Sequence, residues 1–142
     1  MQQLRVRDVM TLDVTTLKRN DQLTLADDIM NLGRIRHLPV LDDDDVNVVG
    51  LVSQRDLFRG ALARALGYGG RARRKILDTI SVKEVMTSDV ITTSPDTPLV
   101  EAARVLTERK IGCLPVVEDG RLVGILTEGD IVAMVARKDP DA

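Results

Sequence analysis

Aromatic residues are nearly missing: the 142 residues include no Trp, one Phe and one Tyr. Single-stranded nucleic acid is usually held by stacking bases on aromatic rings, and Phe58 and Tyr68 alone cannot build such a platform. A dominant charge of one sign is missing too. The formal net charge is −2, which argues against broad nucleic-acid binding. With Cys113 as the one cysteine, no internal disulfide and no CxxC metal spacing can exist. No apolar run approaches the roughly 18 residues needed to cross a bilayer. Met1-Gln2-Gln3-Leu4-Arg5 lacks the basic-then-apolar pattern of a secretory leader. A cytoplasmic protein without membrane contact is the expectation. What is abundant is aliphatic: 44% of the residues are hydrophobic, enough for a packed interior in one domain or two small halves.

The chain repeats itself. Val9-Met10-Thr11-Leu12-Asp13-Val14-Thr15-Thr16 recurs as Val85-Met86-Thr87-Ser88-Asp89-Val90-Ile91-Thr92. Ile35-Arg36-His37-Leu38-Pro39-Val40 recurs as Ile111-Gly112-Cys113-Leu114-Pro115-Val116. Val49-Gly50-Leu51-Val52-Ser53-Gln54-Arg55-Asp56-Leu57 recurs as Val123-Gly124-Ile125-Leu126-Thr127-Glu128-Gly129-Asp130-Ile131. Order and spacing hold, apart from two extra residues in the acidic turn Asp42-Asp43-Asp44-Asp45. A fixed-period repeat is the first feature to settle in any sequence, because it dictates the architecture.

Each copy reads as strand, helix, strand, strand, helix, so the fold class is α/β, built of tandem βαββα repeats. Residues 13–17 have the β-branched content of a first strand. Leu23, Ala26 and Met30 share a helical face, as do Leu99, Ala102 and Leu106. Thr97 and Pro98 read as the cap and first turn of the second copy's helix. Strands are expected at 38–41 and 46–52, and again at 114–117 and 122–126, with closing helices from Ser53 and Thr127. A half of about 60 residues buries little apolar surface alone. Two halves are therefore expected to pack around a pseudo-two-fold axis, with ligand clefts at the seam. The boundaries read as 1–57 for the first repeat, 58–79 for a helical basic linker, 80–138 for the second repeat and 139–142 for a tail.

These doubled motifs resemble the cystathionine-β-synthase (CBS) domain pair, also called a Bateman module. The resemblance rests on Val-Met-Thr at each start, the Leu-Pro-Val strand, and Gly-x-x-[Ser/Thr]-x-x-Asp at each end. It implies a regulatory module, not an enzyme, that needs no cofactor and binds AMP, ADP, ATP or S-adenosylmethionine. In that family the Ser/Thr and Asp of the closing motif contact phosphate and ribose, which carries onto Ser53, Asp56, Thr127 and Asp130. Residues at Leu-Pro-Val flank base and phosphates, which carries onto Arg36, His37, Leu38 and Pro39, and onto Cys113, Leu114 and Pro115. Thr97 is expected to add to the Ser53/Asp56 cleft from the other copy. The family usually forms dimers, so a homodimer is expected. The 142 residues hold no effector domain, so the output is expected to pass to a partner protein or to a change of assembly.

Ser53-x-x-Asp56 and Thr127-x-x-Asp130 also have an explanation without ligand, as capping boxes in which a hydroxyl caps a helix and an acid sits in its first turn. The roles are compatible, because a carboxylate offers acceptors that suit the paired hydroxyls of a ribose. Phosphates need cations, and the copies differ there. Arg34, Arg36 and His37 surround the first Leu-Pro-Val, whereas Gly112 and Cys113 replace the Arg36-His37 pair in the second, leaving Arg109 and Lys110. Arg binds phosphate strongly and often through two bonds. The Ser53/Asp56 cleft is therefore expected to hold a phosphorylated nucleotide, and the Thr127/Asp130 cleft a less anionic ligand or none.

Catalysis and metal binding find little material. His37 and Cys113 are equivalent positions, but an activated thiolate needs a base and an orienting group, and a zinc site needs four ligands. The run Asp42–Asp45 lacks a calcium-loop pattern and reads as an exposed turn. Residues 61–66 extend the preceding helix, Gly67-Tyr68-Gly69-Gly70 breaks it, and Arg71, Arg73, Arg74 and Lys75 form a basic patch on a second short helix. Two other readings remain open: a dimerisation scaffold without ligand, and a nucleic-acid binder using that basic linker.

Overall fold

The apolar runs on either side of each turn make an antiparallel strand pair in both copies, and the register is the same in both. A computed structural model describes residues 3–65 and 73–138. In it β1 is Leu17–Lys18, α1 Leu23–Gly33, β2 His37–Leu41, β3 Val48–Ser53, α2 Gln54–Ala65 and α3 Arg73–Leu77. The chain continues with α4 Val82–Val85, α5 Leu99–Arg109, β4 Cys113–Glu118, β5 Arg121–Thr127 and α6 Glu128–Lys138. His37 pairs with Ser53, Leu38 with Val52, Pro39 with Leu51 and Val40 with Gly50. In the second copy Cys113 pairs with Thr127, Leu114 with Leu126, Pro115 with Ile125 and Val116 with Gly124. Each pair has one bulge, between Val40 and Leu41 and between Val116 and Val117.

The expected first strand is shorter than its β-branched content suggests. Only Leu17 and Lys18 pair, in parallel, with Val40 and Leu41. Asp13 and Thr15 are exposed, Val14 and Thr16 are half-buried, and Leu17 is the residue of this segment that enters the core. In the second copy the same position is a single bridge from Thr93 to Val116. The helices follow their pattern: Leu23, Ala26 and Met30 are buried on α1, and Leu99, Ala102 and Leu106 on α5. Both helices end on a residue in the left-handed region, Arg34 at φ 54° and Lys110 at φ 55°. Each cap N–H returns to a carbonyl four residues back, Met30 and Leu106 respectively.

The repeats and the compact units do not coincide. One unit is Thr15–Val90; in the other, the chain's start up to Val14 joins the residues from Ile91 onward. The opening segment of each copy therefore packs with the body of the other copy. In the Thr15–Val90 unit, Leu23 N–H donates to Ile80 O at 2.9 Å and Val82 N–H to Asp21 O at 2.8 Å. In the other unit, Leu99 N–H donates to Leu4 O at 2.8 Å and Val6 N–H to Thr97 O at 2.9 Å. The core of the Thr15–Val90 unit includes Leu17, Leu23, Leu38, Val40, Val52 and Leu57, together with Ile76, Leu77, Ile80 and Val82. The end of the expected linker, at Ile76 and Leu77, thus fills this core. Val6, Leu99, Ala102, Leu106, Leu114, Val116 and Leu126 form the other core.

Val-Met-Thr is the latch in both units. Thr87 exchanges two backbone hydrogen bonds with Leu51, at 3.0 and 2.9 Å, and Thr11 does the same with Ile125, at 2.9 and 2.8 Å. The preceding Met lies on a glycine of the strand behind, Met86 on Gly50 and Met10 on Gly124. A side chain at either glycine would occupy the volume of the thioether.

Candidate functional site

Each candidate site is the corner where a strand pair hands over to a helix. Ser53 ends β3 and Thr127 ends β5, so each hydroxyl stands at the start of the next helix. Ser53 N–H donates to Asp56 Oδ2 and Asp56 N–H donates to Ser53 Oγ, both at 3.0 Å. Thr127 N–H donates to Asp130 Oδ2 at 2.9 Å, and Asp130 N–H donates to Thr127 Oγ1 at 3.1 Å. These are the expected reciprocal caps. Among the described residues they use each hydroxyl as acceptor only, which leaves its proton free to be donated to a ligand.

A second pair of bonds fixes the entrance of the Leu-Pro-Val strand against the cap. Gln54 N–H donates to Arg36 O at 2.8 Å, and Glu128 N–H donates to Gly112 O at 3.1 Å. With the strand register, this sets His37 opposite Ser53 and Cys113 opposite Thr127. Ser53, Asp56, Thr127, Asp130 and His37 are half-buried and Arg36 is exposed. Leu38, Pro39, Leu114, Pro115 and Cys113 are buried. Leu38 and Leu114 belong to the cores, so what they can present to a ligand is backbone.

Thr97 is not the helix cap that its sequence suggests. Pro98 holds that position and α5 begins at Leu99. The Thr97 hydroxyl accepts from Ser94 N–H at 3.3 Å, because the tight turn at residues 94–97 offers it a nearer donor. Thr97 lies in the unit that carries Thr127 and Asp130, whereas Ser53 and Asp56 lie in the Thr15–Val90 unit.

The two carboxylates differ in one respect the sequence reading missed. Asp130 Oδ1 accepts the Thr11 hydroxyl at 2.9 Å. Among the described residues no side-chain hydrogen bond joins the equivalent Thr87 to Asp56. The signal for Thr11 was present in the repeated Val-Met-Thr, but its partner stands 119 residues away.

Burial alone pushes the Cys113 thiol up to about 12, so it stays protonated at neutral pH and is no nucleophile. Cys113 and His37 belong to different units. The acidic turn is a folded hairpin tip. Asp44 accepts from Val46 N–H at 2.9 Å and from Asn47 N–H at 3.1 Å, and these bonds hold its carboxyl below the usual range. Lys18 pairs with Asp45 at 2.9 Å and Arg19 with Asp42 at 3.6 Å. The hydrogen bond to Asp45, and then its charge, raise the Lys18 pKa. Among the described residues no cluster of His, Cys, Asp or Glu is suited to a metal ion, and no helix is long and apolar enough to cross a membrane. The glycine cluster 67–70 and Arg71 lie outside the described residues, as do the side chains of Arg73 and Arg74. Lys75 of that basic patch is exposed.

Comparison with known proteins gives the same frame. The family model described as CBS domain matches residues 6–63 and 82–137. A protein named homoserine O-acetyltransferase, from Methanohalophilus mahii, is 35% identical over 135 residues, 94% of this chain and 25% of that protein. The chain thus spans about a quarter of that relative's length. A CBS domain pair solved in complex with 5′-methylthioadenosine and S-adenosyl-L-methionine is 28% identical, with a TM-score of 0.78, covering 96% of this chain and 99% of that one. CBSX2, solved in complex with AMP, is 33% identical, with a TM-score of 0.76, covering 95% of this chain and 98% of that one.

Proposed function

The chain belongs to the CBS domain family, and from that premise we propose that it is a regulatory module binding an adenosyl ligand at its two capped corners. The ligand is AMP, ADP, ATP or S-adenosylmethionine, and the response is a change of conformation or of assembly. The observation that carries this reading is the duplicated hydroxyl–carboxylate cap, which holds an acceptor pair and a spare hydroxyl proton beside the entrance of a Leu-Pro-Val strand. A ribose with its two adjacent hydroxyls matches such a carboxylate. Solved relatives bind AMP in one case, and 5′-methylthioadenosine with S-adenosyl-L-methionine in another. No catalytic step is assigned to the chain, and the transferase activity named for some relatives belongs to proteins four times its span.

The two corners are not equivalent in this reading. Ser53 and Asp56 take the phosphorylated nucleotide, with Arg34, Arg36 and His37 as its cations. Thr127 and Asp130 take a less anionic ligand, beside Cys113, Leu114 and Pro115. Differential affinity for two arrangements of the module is what turns binding into a signal. A second copy covers the exposed apolar side chains Phe58 and Leu62 on α2 and Val132 and Val135 on α6. On that basis Phe58→Glu shifts the chain toward monomer in size-exclusion chromatography with light scattering.

The test is a thermal-shift panel of AMP, ADP, ATP, S-adenosylmethionine and NAD, with GTP as control. A ligand at about 100 times its Kd adds roughly 2.7 kcal/mol, which is several degrees for a protein of this size. A shift with adenine ligands that disappears in Asp56→Ala supports the reading. Flat curves at millimolar ligand refute it and favour a dimerisation scaffold. Loss of AMP binding in Asp130→Ala, with retention in Asp56→Ala, would reverse the assignment of the corners.

A further inference from the structure

The geometry points to Thr11 as an internal lock on the Thr127/Asp130 corner, one that competes with a ligand's hydroxyls for the Asp130 carboxylate. This inference rests on the adenosyl-ligand reading above. A carboxylate has two oxygens with about four acceptor positions in all. At Asp130, Oδ2 takes Thr127 N–H and Oδ1 takes the Thr11 hydroxyl, both at 2.9 Å. At Asp56, Oδ2 takes Ser53 N–H at 3.0 Å, and Oδ1 has no partner among the described residues. The backbone does not cause the difference. Thr11 pairs with Ile125 as Thr87 pairs with Leu51, through the same two backbone bonds. The same Thr at the same register occupies an acceptor position on one carboxylate and, among the described residues, none on the other.

The consequence is selective for ligands that use both ribose hydroxyls. Such a ligand at Asp56 finds an open oxygen, whereas at Asp130 it must displace or share the Thr11 hydrogen bond. Thr11 is exposed, so its hydroxyl can turn to water when displaced. The net worth of one such bond is about 1 kcal/mol, or roughly a fivefold difference in Kd. Thr11 is on this account a specificity-determining residue, setting which of the two corners fills first.

The experiment titrates adenosine by calorimetry in an Asp56→Ala background, which isolates the second corner. Thr11→Val keeps the β-branched shape and the backbone pairing but removes the hydroxyl, and Thr11→Ser restores a donor. The expected result is adenosine binding roughly fivefold tighter with Thr11→Val and unchanged with Thr11→Ser. The gain should be absent for 2′-deoxyadenosine, which lacks one of the two hydroxyls. Equal or weaker adenosine binding in Thr11→Val overturns the lock, as does an equal gain with 2′-deoxyadenosine. If the native chain binds adenosine but the Asp56→Ala background binds none with or without Thr11→Val, the lock is refuted and the Ser53/Asp56 reading stands. If the native chain binds no adenosyl ligand, the functional reading fails and the lock fails with it.

Discussion

Replacing Gly50 by Ala measures how closely the Val-Met-Thr latch is laid on the strand behind it. A Cβ at Gly50 would overlap Met86 Sδ and stand 2.9 Å from Met86 Cγ and 3.2 Å from Met86 Cβ. The three nearest atoms all belong to one side chain, so the main conflict is with Met86. Forcing a packed side chain out of such a site costs about 1–3 kcal/mol. Gly50 does not need its conformational freedom: among the described glycines only Gly120 has positive φ. Without the neighbour, Ala would stabilise by about 0.4–1 kcal/mol through the unfolded chain. Most of the packing penalty should vanish in a Met86→Ala background, where only the Cβ contact at 3.2 Å remains, giving a coupling of about 1–3 kcal/mol. Gly124 is the control, because its Cβ would lie 2.9 Å from Met10 Sδ but also 3.0 Å from the Thr11 carbonyl oxygen. Met10→Ala removes the first obstacle and not the second, so rescue of Gly124→Ala should be partial. Urea unfolding gives the four free energies of each cycle. Far-UV circular dichroism is the probe, since the chain has no Trp and one Tyr. Additivity within about 0.5 kcal/mol at Gly50 would refute the packing argument, and full rescue at Gly124 would refute its backbone half.

Arg34→Gly should raise stability by about 0.5–1 kcal/mol, because a left-handed cap at φ 54° suits glycine. If Arg34 also holds a phosphate, the same variant binds ATP more weakly, so denaturation and titration on one sample separate the roles. Cys113 should resist iodoacetamide at pH 8 in the folded chain and react on unfolding, since burial pushes its thiol up to about 12. The folded thiol keeps its proton where the unfolded one, near 9.0, has lost it. Stability should therefore fall as pH rises above about 9, and Cys113→Ala should remove that slope. Asp44 has the opposite sign. Its folded carboxyl is lowered from 3.8 by the Val46 and Asn47 N–H groups. Its contribution is present above that pH and is lost as pH falls through the lower folded value, which a carboxyl NMR titration reads directly.

The repeat was legible because both copies meet the same physical demands at the same offsets. Apolar residues at helical spacing named the buried faces of α1 and α5, and the turn-flanked apolar runs named four strands to within two residues. The closing motifs were legible as caps because a capping box is local, joining residues three apart. What escaped is non-local. Propensity marked residues 13–17 as a strand, but pairing needs a partner edge, and only Leu17–Lys18 has one. Thr97 looked like a cap until the turn at 94–97 supplied a nearer donor. No pattern within a single copy could show that each opening segment packs with the other copy's body, or that Thr11 reaches Asp130.

That exchange of opening segments constrains how the two copies can diverge. A segment that pairs with Ile125 or Leu51 through backbone bonds and lies on a bare glycine couples Met to Gly in both copies, because a side chain at the glycine would displace the Met from the strand that carries the cap. The cap is held equally, since its carboxylate and hydroxyl close the first turn of α2 and of α6. The copies differ around this frame. Arg36 and His37 stand where the second copy has Gly112 and a buried, neutral Cys113. Asp130 has its second oxygen taken by Thr11, whereas Asp56 does not. Both differences act in one direction, removing cations and an acceptor from the same corner. Under the proposed function, a duplicated frame with one rich and one depleted corner responds first through Ser53 and Asp56. A symmetric pair of binding constants for AMP would therefore contradict that proposal at both differences.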